Sequence, residues 1–175
     1  MSSVLIVYST VDGHTRTICE KLQRSIEASG HAVQLLPIES AGRAEVQACQ
    51  KIVVGASIRY GKHRPGVYRF VNEHADELHG RPGAFFTVNI VARKPGKDRP
   101  ETNPYLKKFL ARVRWRPTEL DVFAGRLDYP RYGFFDRQMI RFIMLITRGP
   151  TDPSTVVEFT DWSRVEQFAR RVCAM

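Results

Sequence analysis

The stretch VLIVYSTVDGHT, residues 4–15, decides the fold. It begins as a short apolar run rich in valine and isoleucine and stops abruptly in hydroxyls, a glycine and a histidine. A buried strand over Val4–Ser9 reads this way, with turn chemistry at its end. From His14 to Ser29 the period changes. Ile18, Leu22 and Ile26 recur every four residues, one apolar helical face, and Gly30 follows as a stop. STVDGHT therefore joins a strand to a helix N-terminus, where unpaired N–H groups and the positive end of the helix dipole attract anions. Ser9, Thr10 and Thr15 add hydroxyls, and Gly13 permits a close backbone approach. A triphosphate loop would need GxxxxGK(S/T) and a dinucleotide loop GxGxxG; this turn has neither. A phosphate monoester fits better, although the same residue types also serve an ordinary helix cap.

Strand and helix alternate onward. Strands are expected at Val33–Ile38, Lys51–Ser57, Gly83–Ile90 and Leu120–Arg126, with a short fragment at Val156–Thr160. Helices are expected at 42–50, Pro65–Leu78, about 104–114 and Trp162–Val172, the last capped by Asp161. This rhythm predicts one α/β domain over residues 1–175, a doubly wound five-stranded parallel sheet covered on both faces. Ligands of such sheets bind beyond the carboxyl ends of the strands, here after Ser9, Ser57 and Asn89.

Composition narrows the function. The chain has 175 residues, 43% of them hydrophobic, enough for one substantial core. Its 27 Lys+Arg against 18 Asp+Glu give a net charge of +9, which favours anionic partners. Cys19, Cys49 and Cys173 are scattered, arguing against a disulfide framework or a zinc site, and no metal is expected. No secretory signal and no membrane span are predicted. Basic charge alone would suit nucleic acid, but it is dispersed and no recognition motif accompanies it.

The first turn resembles the flavodoxin phosphate loop, S/T-x-T-G-x-T, which holds the phosphate of FMN. The match falls on Thr10, Gly13, His14 and Thr15, with Ser9 ahead and Val11 and Asp12 between. Asp12 replaces the usual threonine and would repel a phosphate unless its carboxylate turns away to cap the helix. Three further segments sharpen the likeness: GASIRYGKHRPG (55–66), TVNIVARKPGKDRPETN (87–103) and YPRYGFFDRQMIRFIM (129–144). With the terminal VVEFTDW (156–162), they resemble the bacterial quinone-dependent, menaquinone-type protoporphyrinogen IX dehydrogenases, over nearly the whole chain and in the same order.

That resemblance implies a flavodoxin-like sheet of order 2-1-3-4-5 with a helical insertion in or after strand five, about residues 129–150. It implies FMN as cofactor, protoporphyrinogen IX as substrate, menaquinone or ubiquinone as electron acceptor, and a place in haem synthesis. It also implies peripheral attachment to the cytoplasmic face of the inner membrane. A homodimer stays open. Beside the first loop, the expected cofactor contacts are Ser57, Ile58, Arg59, Tyr60 and Gly61 after strand three. After strand four they are Thr87, Val88, Asn89, Ile90, Val91 and Ala92. Tyr60 is expected either to stack on the flavin or to pack as an ordinary buried tyrosine. Arg93, Lys94 and Arg131 are candidates for pairing with the propionates of the substrate, for which arginine's fork is well suited.

The insertion mixes apolar residues with Arg131, Arg137, Arg141 and Arg148. A helix over 136–147 would be about 18 Å long, short of the roughly 30 Å hydrocarbon core. It is read either as packed on the sheet or burying a dimer contact, or as lying on a membrane, arginines toward headgroups. His14 and His63 lie near ligand loops and are read either as proton relays or as loop and capping histidines; the sequence singles out no catalytic acid or base, and a flavin carries the hydride chemistry itself. Two alternatives stay open: an NAD(P)H-dependent flavin quinone reductase, and a flavodoxin electron carrier, which the net positive charge opposes.

Overall fold

The computed structural model describes residues 1–175. Five parallel strands form the main sheet: β1 (Ser3–Ser9), β2 (Ala32–Pro37), β3 (Lys51–Arg59), β5 (Gly83–Asn89) and β6 (Glu119–Ala124). A short β4 (Lys62–His63) pairs antiparallel with the end of β3. The order is β2-β1-β3-β5-β6. Counting only the parallel strands, this is the expected 2-1-3-4-5.

Alternation along β1 explains why both faces are covered. Leu5 and Val7 point into one core, Val4 and Ile6 into the other, and all four are buried. The first core lies under α2 (Arg43–Ala48), α3 (Pro65–Glu73), α4 (Ala75–His79) and α5 (Pro104–Leu110), and includes Val67, Phe70, Leu78 and Phe109. The second lies under α1 (His14–Ala28) and α7 (Trp162–Ala174), where Ile18, Leu22 and Ile26 meet Val165, Phe168 and Val172. Every residue of the interior strand β5 is buried. At Gly55 on β3 the Phe86 ring lies where a Cβ would stand, so only glycine allows the two central strands to pack.

Several boundaries differ from expectation for physical reasons. The helix expected over Pro65–Leu78 breaks at His74 into α3 and α4. The helix expected to reach 114 ends at Leu110, because Val113 and Trp115 turn into the core and the indole of Trp115 seats against Gly83. The fifth strand is cut at Gly125. Its continuation β7 (Arg126–Asp128) leaves the main sheet and pairs antiparallel with β8 (Val156–Glu158). Between β7 and β8 the insertion folds as one helix, α6 (Phe134–Ile146). No helix is long and apolar enough to cross a membrane.

Candidate functional site

Three loops meet at the carboxyl ends of β1, β3 and β5, and α6 closes the space above them. The resulting cleft holds about 1070 Å³ of empty space, part of it open to solvent. It lies where doubly wound sheets place their ligands.

The first loop is set by Gly13, which occupies the N-cap of α1 with φ 85°, a left-handed conformation that costs glycine nothing. Its N–H donates to the Thr10 hydroxyl at 3.0 Å, which staples the turn. No side chain caps the helix. The expected cap by Asp12 is therefore corrected. Its carboxylate does turn away from the helix, but toward the Arg59 guanidinium at 3.0 Å. The N-terminal N–H groups of α1 stay free, and the nearest acidic charge is neutralised. Within the first turn, Thr15 is 1% exposed and its hydroxyl has no partner.

The second loop, after β3, carries two consecutive left-handed residues, Tyr60 (φ 50°) and Gly61 (φ 76°). For a tyrosine this conformation costs about 1 kcal/mol or more. It leaves the ring half exposed at the cleft rather than in the core. Arg59 binds Asp136 of α6 at 2.9 Å as well as Asp12, and its guanidinium lies 5.5 Å from the Tyr60 ring centre and 5.7 Å from that of Tyr132. The Tyr60 hydroxyl also donates to Asp136. That hydrogen bond, then Arg59, holds the Asp136 carboxyl below the usual carboxylate range, while the same contact pushes the Tyr60 phenol up. Arg59, expected as a cofactor contact, joins the first loop to α6.

The third loop is organised by Asn89. Its Oδ1 accepts from Ala92 N–H at 2.9 Å, capping the 3-10 turn Ile90–Arg93. Asn89 is 5% exposed, and its Nδ2 has no partner. Arg93, expected as a substrate contact, lines the cleft and also serves as a structural tie. Its guanidinium donates to Ile90 O at 3.0 Å and to the Thr147 carbonyl at 3.0 Å, fastening the end of α6 to the β5 loop.

The cleft wall brings together Val11, Asp12, His14, Thr15, Ser57, Ile58, Arg59, Tyr60, Gly61, Val88, Asn89, Ile90, Val91, Arg93 and Arg131 from the expected set. Ser9, Thr10, Gly13, Thr87, Ala92 and Lys94 stand outside that wall. Thr87 points to the first-core side of the sheet beside Phe85, where its hydroxyl meets His63 at 3.0 Å. Ala92 is packed in the first core. Arg131 is exposed on the rim and makes no ion pair, whereas Arg126 pairs with Asp128 at 2.9 Å. Sequence reading missed Tyr105, the segment 125–128, Tyr132, the inner face of α6 at Ile140, Ile143 and Met144, and Thr147 just beyond it. Tyr132 and the α6 residues lie within the flagged insertion, but periodicity could not say which side faces the cleft.

Neither histidine is an obvious proton carrier. Thr160 donates its hydroxyl proton to Ala124 O at 2.7 Å, so His14 Nε2 must donate to Thr160 Oγ1, also at 2.7 Å, which fixes the neutral tautomer. Burial holds its pKa down, partly opposed by Glu158. His63 sits among Tyr68, Phe85 and Phe109, and burial takes its pKa to about 3.

Comparison with known proteins gives a consistent picture. A flavodoxin-domain family model matches residues 5–154. The chain is 42% identical over 168 residues to a protein named protoporphyrinogen IX dehydrogenase (quinone) from Escherichia coli strain K12, covering 96% of this chain and 93% of that one. It is 41% identical to one of the same name from Leishmania major, over 98% of this chain and 74% of that one. Among solved structures, an archaeal flavodoxin superposes with a TM-score of 0.58 at 16% identity, covering 98% of this chain and 96% of that one. That last likeness speaks for the fold alone.

Proposed function

The chain belongs to the flavodoxin-domain family and, within it, to the quinone-dependent protoporphyrinogen IX dehydrogenases, and from that premise we propose how its cleft works. The protein is an FMN-dependent oxidoreductase that converts protoporphyrinogen IX to protoporphyrin IX and passes the electrons to a quinone. One observation carries the placement of the cofactor. Of the three buried side-chain polar atoms left without a partner, two, Thr15 Oγ1 and Asn89 Nδ2, belong to residues lining this one cleft, on different loops. Buried polar groups in native proteins are nearly always paired, so both atoms want a ligand.

The residues present fit FMN. The free N–H groups at the start of α1 and the Thr15 hydroxyl would hold its phosphate, without needing a lysine. Arg59 supports this by cancelling the charge of Asp12. Asn89 Nδ2 and the backbone of Ile90 and Val91 would hydrogen-bond the polar edge of the flavin, beside Tyr60. When bound, FMN supplies the hydride acceptor for each dehydrogenation. The chain's own work is to bind, orient and shield. Ile140, Ile143 and Met144 present apolar surface over the cleft and limit water there. Arg131, the unpaired cation on the rim, would meet a propionate of the substrate. Lys94 stands outside the cleft wall, and Arg93, which lines it, also holds the end of α6. A lipophilic quinone resides in a bilayer, so peripheral contact with the cytoplasmic face of the inner membrane is part of this reading.

The test is anaerobic. FMN-loaded protein is mixed with protoporphyrinogen IX and a quinone, and porphyrin fluorescence is followed. Fluorescence should grow only with both present, and Arg131→Ala should raise KM more than it lowers kcat. Absence of porphyrin with ready consumption of NADPH would replace this reading with a quinone reductase.

A further inference from the structure

Helix α6 is an amphipathic helix turned inside out. A surface helix ordinarily keeps charged residues toward water and apolar ones toward the core. Here Arg137 donates to the Tyr129 and Tyr132 carbonyls at 3.2 and 3.1 Å, and Arg141 to the Thr151 carbonyl at 2.8 Å. Both arginines are tied inward. The opposite face presents Phe134, Phe135, Met139, Phe142, Leu145 and Ile146 to solvent, with Phe135 85% and Leu145 68% exposed. Scattered exposed apolar residues are ordinary, but six on one helical face are not. The helix does not need them for its own seat. Met144 is buried, and Ile140 packs against a small core of Leu127, Tyr129 and Tyr132.

We propose that the outer face of α6 docks the protein on an anionic lipid bilayer, lying in the interface with its ends on the headgroups. Charge complementarity selects this occupant. Lys62 follows the Tyr60–Gly61 turn, which contacts the first turn of α6 through Asp136. Lys94 adjoins Arg93, which holds Thr147 at the other end, and Arg148 follows the helix directly. None of these three cations makes an ion pair. They extend a chain whose net charge is +9. A second copy docked on the same face would oppose like charges; acidic headgroups would attract them. Thirteen residues of helix make about 20 Å, too short for the roughly 30 Å core, so the helix lies on the bilayer. The inner face of the same helix roofs the cleft, one helix diameter from the lipid. The quinone reading supplies the purpose of this contact and is its only debt to the proposed function; the docking surface itself stands on α6.

The experiment uses the FMN-loaded full chain and vesicle flotation. Vesicles rich in phosphatidylglycerol should carry the protein. Pure phosphatidylcholine vesicles should bind at least tenfold more weakly, and added salt should weaken binding to the anionic ones. Phe135→Ser with Phe142→Ser should lower partitioning at least tenfold while FMN binding and porphyrin formation with a short-chain, water-soluble quinone persist. Lys62→Gln with Arg148→Asn, at exposed positions, gives a second route to the same loss should the first variant fold poorly. Three results would overturn the proposal: no vesicle binding by the wild type, equal binding to both lipids, or a wild-type dimer that the phenylalanine variant dissolves without any effect on lipid. Vesicle binding without porphyrin formation would sink the enzyme reading and leave the docking surface standing; the reverse pattern would do the opposite.

Discussion

Replacing Thr15 by valine keeps the shape of the side chain and removes only its hydroxyl. That hydroxyl belongs to a residue 1% exposed and has no partner within the protein. An unpaired buried hydroxyl costs about 1–3 kcal/mol. Thr15→Val should therefore stabilise the FMN-free protein by about 1–2 kcal/mol, a Tm rise of about 3–6 °C for a chain of this size. Bound to a phosphate, the same hydroxyl would contribute about 1.5–3 kcal/mol as a charge-assisted hydrogen bond, so its loss should raise the FMN Kd roughly 10- to 150-fold. The two effects have opposite signs, which an ordinary packing change would not produce. Thermal melts of flavin-free protein and titration of flavin fluorescence measure both. A lower Tm with unchanged FMN affinity would show that the hydroxyl serves the helix and that the cleft is not built around it.

Asp136→Asn should loosen α6 by removing the carboxylate charge and one of the two oxygens that accept from Arg59 and Tyr60, seen as several-fold faster amide exchange across 134–146. The folded pKa of Asp136 is depressed, so the wild-type latch is complete above a pH of about 4 and is lost as pH falls through the lower folded value. His63 behaves differently. Its folded pKa of about 3 lies below the unfolded value, so the unfolded chain binds the extra proton and stability falls as pH drops from about 6.5 toward 3, by about 1.4 kcal/mol per unit. Denaturant titrations of His63→Gln should show a flatter dependence over that window. Lys51, 6% exposed, donates to the Val172 and Cys173 carbonyls at 3.2 and 2.6 Å. Lys51→Met should cost about 1.5–3 kcal/mol and fray the last turn of α7, again readable by exchange.

The parallel sheet was legible because its signals are local. Each strand is a short apolar run ending in turn residues, and Ile18, Leu22 and Ile26 mark α1 as clearly as any helix can. The turn after β1 announced an anion site for the same reason: glycine and hydroxyls fall within a few residues. What stayed hidden depends on long-range partners. Nothing near Asp12 says that its carboxylate will meet Arg59, forty-seven residues on. Nothing near Arg93 says that Thr147 will claim its guanidinium, and the charge of that loop suggested a ligand contact instead. In the insertion, apolar residues nearly encircle the helix, so periodicity gives no direction. Only the packing of Met144 and the tied arginines reveals which side is inner. The break of strand five also escaped notice, because Gly125 and the apolar residues around it read as one continuous strand.

The β7–β8 ribbon has an evolutionary consequence. Asp128 stands opposite Val156, so the segment carrying α6 leaves and returns at adjacent points, about 5 Å apart as antiparallel partners are. Everything between them is a detachable cassette. The entropy of closing such a loop grows only logarithmically with its length, so an ancestral hairpin turn could lengthen into a helix-bearing arm at little thermodynamic cost. Strand order and both main cores would be untouched by that growth. A plain electron carrier could thus acquire, in a single splice, both a roof and a landing gear.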